Sequence, residues 1–332
     1  MSVHRNKIIQ LILVGLVCLS AHSKEHYIRI SGSSTAYPFI ITISQLFYLA
    51  HERDAVIVES TGTGNGLKLF CLGNSAKYPD LASASRAIKP SETQLCHKNK
   101  IDHILEIKYG YDGIIIATAQ MDYEVNFTRK ELFLALAEHV PQNGILVSNP
   151  YKKWSDINPT LPKINIELYG PANTSGTRDE FNQIVMEESC QFFIEYKNNP
   201  QLCRNIRTDG KYIEIGNNEN LIIQKLKKNI NAFGIIGYNF YKNNFDTLKA
   251  VSIDSIEPTF HNIRSSTYSL SRPLFIYAKT LNDHKLTKSI KSFLETLTSS
   301  VVVGDNGYLR SKGLISLKNQ ELNKMQTLIA TH

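Results

Sequence analysis

Several patterns that define large classes of protein are missing from this chain. Its five cysteines form no Cys-x-x-Cys pair, so a zinc site is not predicted, and no motif calls for a cofactor. A Gly-x-Ser-x-Gly elbow is absent, and no histidine stands at a spacing that suggests a base for a serine nucleophile. That leaves a secreted serine hydrolase, a phosphatase or esterase, as an alternative from another class rather than the first reading. His51, His97 and His103 lie near charged stretches and are read as solvated surface. Beyond the N-terminus no apolar run is long enough to span a bilayer. Lysine and arginine are scattered, with no basic stripe or aromatic platform, which argues against nucleic acid as a partner. Internal repeats, low-complexity tracts and long linkers are missing as well.

What is present points to an exported globular chain. At 332 residues, 42% hydrophobic and 20% charged, it is long enough for two lobes rather than one. Arg5 and Lys7 precede an apolar run over 8–19 and a small-residue exit at Ala21-His22-Ser23, the plan of a secretory signal peptide cleaved near Ser23. Val17 ahead of Cys18 disfavours a lipoprotein. Loss of Arg5 and Lys7 with the leader would leave a net charge of +5 out of +7, a modest attraction for anions. Loss of Cys18 would leave an even set, Cys71, Cys96, Cys190 and Cys203. Four cysteines permit three connectivities, of which the spacing favours Cys71 with Cys96 and Cys190 with Cys203, each closing a local loop in an oxidising compartment.

Along the chain, short strands alternate with helices. Strands are predicted at 27–30, 56–59, 81–85, 113–119, 164–169, 234–238 and 273–278, a helix from about residue 131, a loop at Asn158-Pro159, and a largely helical tail after Thr287. Such alternation implies βαβ crossovers and mainly parallel sheets with helices on both faces. The two lobes are predicted to interleave, with 24–114 and 268–332 forming one and 115–267 the other.

Three strand-to-helix junctions place hydroxyls and glycine at a helix mouth: Ser34-Thr35-Ala36, Thr63-Gly64 and Ser175-Gly176-Thr177. A helix mouth offers unpaired backbone N–H groups and the positive end of a dipole, and glycine lets a ligand approach the backbone. Pro38 suits a first turn, where its missing N–H costs nothing. Three such mouths converging would surround a small tetrahedral oxyanion without a metal. Any one of them alone reads equally well as an ordinary N-cap. Arg86, after Ser85 at a strand end, and Arg178, after the third cluster, are the candidate cationic forks, with Asp179 or another carboxylate to orient Arg178; each arginine reads as well as a surface or interlobe ion pair.

The ordered set Gly32-Ser33-Ser34-Thr35-Ala36-Tyr37-Pro38, Gly62-Thr63-Gly64-Asn65-Gly66, Ala84-Ser85-Arg86, Tyr111-Asp112-Gly113-Ile114, Lys152-Lys153-Trp154-Ser155-Asp156-Ile157-Asn158-Pro159, Ser175-Gly176-Thr177-Arg178-Asp179 and the segment from Tyr268 to Tyr277 resembles the periplasmic phosphate-binding proteins of ABC phosphate transporters, the PstS-like family of type II solute-binding proteins. The resemblance covers nearly all of the chain after the leader. It implies two α/β lobes closing on phosphate in the interlobe cleft. Thr35, Ala36 and Tyr37 would line the first mouth, Thr63 and Gly64 the second, Ser175, Gly176 and Thr177 the third, while Trp154 and the Tyr268 to Tyr277 segment would be architectural. It also implies a periplasmic monomer that docks transiently on a membrane permease. Two departures stand out: many relatives carry an Asp that accepts the phosphate proton where this chain has Arg86, and some carry an Arg where it has Pro171. Without an assigned acceptor, preference for phosphate over sulfate rests on the resemblance alone.

Overall fold

The computed structural model describes residues 27–50, 55–119, 124–216, 218–280 and 284–332. The leader segment with Arg5, Lys7 and Cys18, and also His51, lie outside these residues. Ile28–Gly32, Val56–Ser60 and Leu81–Ala84 form strands, paired in parallel with Ile28–Gly32 in the middle. Parallel neighbours need a crossover, and the helices Tyr37–Ala50 and Thr63–Phe70 supply it. A second set, Leu168–Pro171, Tyr212–Gly216 and Phe233–Gly237, is again parallel around a central strand. Its helices include Gly176–Phe181, which opens into π-helical turns over Asn182–Glu187, and Glu219–Lys228.

Two strands join these sets. Ile104–Ala119 runs for 16 residues. Its first part pairs antiparallel with Ser271–Lys279, its second with Phe233–Gly237 and Leu248–Ala250. Ser271–Lys279 also pairs antiparallel with Leu81–Ala84. The result is one continuous mixed sheet, parallel within each set and antiparallel where the chain passes between them. The sequence pattern predicts only 113–119 of the long strand. The missing part alternates, with Leu105, Ile107 and Tyr109 buried and Glu106 exposed, as a half-buried strand should. A β-hairpin over His139–Gln142 and Ile145–Ser148 replaces part of the helix predicted from about residue 131, which spans only Arg129–Leu136. Its turn is Asn143-Gly144, both at positive φ, the pair that a two-residue hairpin loop favours.

Trp154 is fully buried, stacked on Phe127 at 4.2 Å and edge-on to Phe233 at 5.3 Å, so it packs the core as expected. Trp154–Ile157 makes one helical turn and stops at Asn158, ahead of Pro159. The tail is helical at Lys288–Thr298, Ser300–Val303 and Asn319–Thr331. Among the described residues no helix is long and apolar enough to cross a membrane.

The cysteines pair locally as the spacing favours, Cys71 with Cys96 and Cys190 with Cys203, with Cα separations of 4.2 and 5.6 Å. Replacing Cys71 and Cys96 together by serine removes a closed loop from the unfolded chain and is expected to cost about 2–4 kcal/mol. A urea titration of the oxidised protein beside the double variant measures this; an unchanged midpoint would contradict the assignment.

Candidate functional site

Each hydroxyl-bearing junction follows the carboxyl end of a strand. In the first, Gly32 sits at φ 150°, and Ser33 N–H donates to the Ser83 carbonyl at 2.9 Å. Ser33 Oγ then accepts from Ala36 N–H at 3.2 Å. Ser33 thus takes the capping duty, leaving Ser34 and Thr35 half-buried at the mouth. The second helix starts after Gly62, whose φ of 80° suits glycine. Gly66 packs so tightly on the first strand that a Cβ there would lie 2.3 Å from Gly32 Cα. The third helix starts after Ser175, whose side chain makes no cap bond. Elsewhere in the molecule Thr128, Asn218, Thr259 and Thr287 do cap their helices through side-chain oxygens. The hydroxyls of Thr63 and Ser175 are therefore not accounted for by helix capping.

The first and third junctions, 141 residues apart, are in contact: Thr35 Oγ1 donates to the Gly176 carbonyl at 3.2 Å and to Glu180 Oε2 at 3.1 Å. A Cβ on Gly176 would lie 2.6 Å from Thr35 N and 2.7 Å from Ser34 C, so only glycine permits this approach. At the second junction Thr63 Oγ1 lies 3.1 Å from Ser85 Oγ and accepts from Ser85 N–H at 3.2 Å, both residues being buried. Ser31 Oγ and Thr61 Oγ1, 2.8 Å apart, tie the first strand to the chain leaving the second. Ala36 is buried and Tyr37 exposed.

The arginines are held by neighbours of differing kinds. Arg86 makes a two-pronged pair with Glu92, at 2.9 and 2.7 Å, and donates to the Ala87 carbonyl at 3.0 Å. Its Nη2 would lie 3.7 Å from a Cβ on Gly64, which sets the charge beside the second mouth. Arg178 is buried, stacked on the Tyr212 ring at 4.4 Å, and donates to Asn182 Oδ1 and the Pro171 carbonyl at 3.0 and 3.3 Å. Of the two options for orienting Arg178, Asp179 is corrected, since it pairs with Arg204 at 2.8 Å, and another carboxylate, Glu214, lies 3.9 Å from Arg178 Nη1. Adjacent helical side chains do not face each other, so Asp179 points away from its predecessor, whereas Asn182, four residues on, lies on the Arg178 face.

The sequence pattern missed three carboxylates. Glu180 is 1% exposed and pairs with Arg272 of the crossing strand, itself buried. Asp112 stands opposite Arg272 in the sheet register. Glu219 is 4% exposed; Oε1 accepts from Thr177 Oγ1 at 2.6 Å and Oε2 from Gly237 N–H at 2.7 Å. Burial pushes Asp112 up to about 6, although the Gly113 N–H and Arg272 favour its charged form. Burial also pushes Glu219 up to about 7; the like charge of Asp112 adds to the rise, and Thr177 and the Gly237 N–H oppose it. For Arg272 burial works against the charge, and Asp112 and Asp179 support it. Asp112 falls inside the motif Tyr111-Asp112-Gly113-Ile114, and Glu180 directly follows Ser175-Gly176-Thr177-Arg178-Asp179.

A carboxyl that titrates near 7 when folded and near its ordinary 4.5 when unfolded keeps a proton in the native state that the unfolded chain releases. Its contribution favours folding most below the unfolded value and fades as pH rises through the folded one. Glu219, and Asp112 in a lower window, should therefore raise the Tm of the ligand-free protein as pH falls from about 7.5 to about 5.5. Melts of wild type and Glu219→Gln check this, the variant showing the smaller rise; equal rises would contradict the assignment.

Residues 19–301 match the model of the PBP superfamily domain. The phosphate-binding protein PstS of Staphylococcus saprophyticus is 29% identical over 309 residues, covering 91% of this chain and 84% of that protein. PstS of Staphylococcus aureus is 31% identical over 272 residues, covering 80% and 72%. Among solved structures, a possible phosphate-binding protein of Planctomyces limnophilus aligns with a TM-score of 0.71 at 24% identity over 92% of this chain and 98% of its own. An ABC-type phosphate transport receptor of Vibrio cholerae aligns with a TM-score of 0.64 at 20% identity, over 87% and 99%. These structures share the fold: two lobes linked by crossing strands, as in type II binding proteins. With its parallel sets, its crossing strands and the junctions that meet between them, the chain belongs to the PBP superfamily and, within it, to the PstS-like phosphate-binding proteins.

Proposed function

We propose that this protein is an extracytoplasmic receptor that captures inorganic phosphate between its two lobes and hands it to an ABC permease in the membrane. The observation that carries this reading is the contact of Gly176 with Ser34 and Thr35, which brings together donor-rich junctions from opposite sides of the crossing strands. The lobes are assigned as 24–114 with 268–332, and 115–267. Ser34, Thr35, Ala36 and Tyr37, Thr63 and Gly64, Ser85 and Arg86, and Ser175, Gly176, Thr177 and Arg178 form the proposed binding set. Backbone N–H groups and hydroxyls supply short neutral donors, and the two arginines supply charge. The relatives' name supports phosphate as the ligand. The leader and the local disulfides support a periplasmic address, and a monomer that docks transiently suits a shuttle.

A binding role, not turnover, is the reading for Ser34, Ser85 and Ser175: among the described residues none has a histidine hydrogen-bonded to its hydroxyl that would serve as base. Protein stripped of anion should bind phosphate one-to-one by calorimetry and release no product from a chromogenic phosphate ester above background. Turnover would favour the hydrolase instead.

Arg86→Ala and Arg178→Ala each remove a charge-assisted contact in this assignment and are expected to weaken phosphate binding by about 2–5 kcal/mol. Unchanged affinity in either variant removes that arginine from the binding set. Gly176→Ala sets a Cβ against the backbone of Ser34 and Thr35 and should prevent full closure, with at least about a tenfold loss of affinity and little change in the ligand-free Tm. Full affinity in this variant would show that the Gly176 contact is not used in the bound state.

A further inference from the structure

Hydrogen-bond accounting at the third junction leads past the general receptor reading. A hydroxyl has one proton to give and two lone pairs to receive with. Thr177 gives its proton to Glu219 Oε1 at 2.6 Å. Toward anything bound beside it, Thr177 Oγ1 then has only lone pairs to offer. The arrangement is fixed from behind, because Glu219 Oε2 is held by the Gly237 N–H at 2.7 Å.

Glu219 differs from its acidic neighbours in its compensation. Glu180, which accepts from Thr35, is paired with Arg272, and Glu92 is paired with Arg86. No lysine, arginine or histidine among the described residues lies within ion-pair distance of Glu219. The groups that face it are Thr177 from the helix Gly176–Phe181, the Gly237 N–H from the strand Phe233–Gly237, and the like charge of Asp112 from the crossing strand Ile104–Ala119. Its own helix begins at this residue and presents its positive end. A buried carboxylate without a cation is costly to keep. Its work here is to hold the proton of Thr177.

We propose that Glu219 is a positioning residue that turns the Thr177 hydroxyl into a hydrogen-bond acceptor, so that the site favours a tetrahedral anion carrying a proton over one that carries none. The inference rests on the phosphate reading and supplies the acceptor that the sequence leaves unassigned. A P–OH group donates to Thr177 Oγ1. A sulfate oxygen at the same place sets lone pair against lone pair, and two buried acceptors facing each other are destabilising.

The pair also makes the preference switchable. A protonated Glu219 keeps its carbonyl oxygen on the Gly237 N–H and gives its own proton to Thr177, which frees the threonine proton for the ligand. Glutamine does the same permanently, since its single oxygen is required by Gly237 and its amide group then donates to Thr177. As burial raises the titration of Glu219 to about 7, sulfate should bind wild-type protein better on the acid side of neutrality than on the alkaline side.

Calorimetry with inorganic phosphate and with sulfate, on the full exported chain stripped of anion, tests this directly. The Glu219→Gln variant should lose at least about tenfold of the wild-type preference for phosphate over sulfate at pH about 8, mainly through a gain for sulfate. Thr177→Val should lose phosphate affinity by about tenfold or more with little change for sulfate, and Thr177→Ser should restore it. Melting curves establish that each variant is folded, and a Glu219 variant that does not fold leaves the Thr177 pair to decide. Wild type that binds phosphate while Glu219→Gln keeps the same preference overturns the inference. So does a Thr177→Val protein that loses phosphate and sulfate equally. Wild type that binds no phosphate at all overturns the receptor reading and this inference with it.

Discussion

Everything in this molecule hangs on two strands that lie side by side and join the two parallel sets into one sheet. Ile104–Ala119 pairs with Ser271–Lys279 along its first part and with Phe233–Gly237 and Leu248–Ala250 along its second, while the other edge of Ser271–Lys279 pairs with Leu81–Ala84. A bulge between Leu274 and Phe275 interrupts their register, and bulges bend and twist a ladder locally. The helix mouths follow strand ends that flank this pair, so a small rotation about it changes the distance between Thr35 and Gly176 while each set of strands stays intact. Rigid lobes on a short bending element are the geometry of hinge closure.

The charges near the crossing form a second layer of this constraint. Arg272 on the return strand faces Asp112 across the register and Glu180 from the helix Gly176–Phe181. Glu180 also accepts from Thr35 of the first junction. Taking such groups out of water is unfavourable unless each meets its partner in good geometry. The closed arrangement supplies those partners from three separate parts of the chain, so a misplaced lobe leaves buried charge uncompensated. This ties correct closure to correct pairing in a way that apolar packing, which tolerates sliding, does not.

Much of this was legible in the sequence, and the omissions have physical causes. Short parallel strands buried on both faces announce themselves as apolar runs, and the hydroxyl-glycine junctions were visible because three of them recur after strands, where one alone reads as an ordinary cap or turn. The first part of the long crossing strand was missed because Glu106, Lys108 and Asp112 break its apolar run, although the alternation of Leu105, Ile107 and Tyr109 was there to read. The hairpin at 139–148 was overlooked although Asn143-Gly144 marks it. Glu219 gave no signal at all: a glutamate at the start of a helix is ordinary, and its meaning comes from Thr177, 42 residues earlier, and Gly237, 18 residues later. Likewise, of the carboxylates open to Arg178, the adjacent Asp179 points away, and Glu214 from a neighbouring strand is the one in reach, beside Asn182 one turn on.

The glycine contact between Gly66 and Gly32 has a kinetic consequence. It fixes the first two junctions against each other within one parallel set of strands, whereas the third junction stands on the other set. In the proposed receptor an arriving anion would meet these two junctions first, and the speed of capture would be set there. On the same proposal, how long the anion stays would be governed by the third junction, whose departure would let it go.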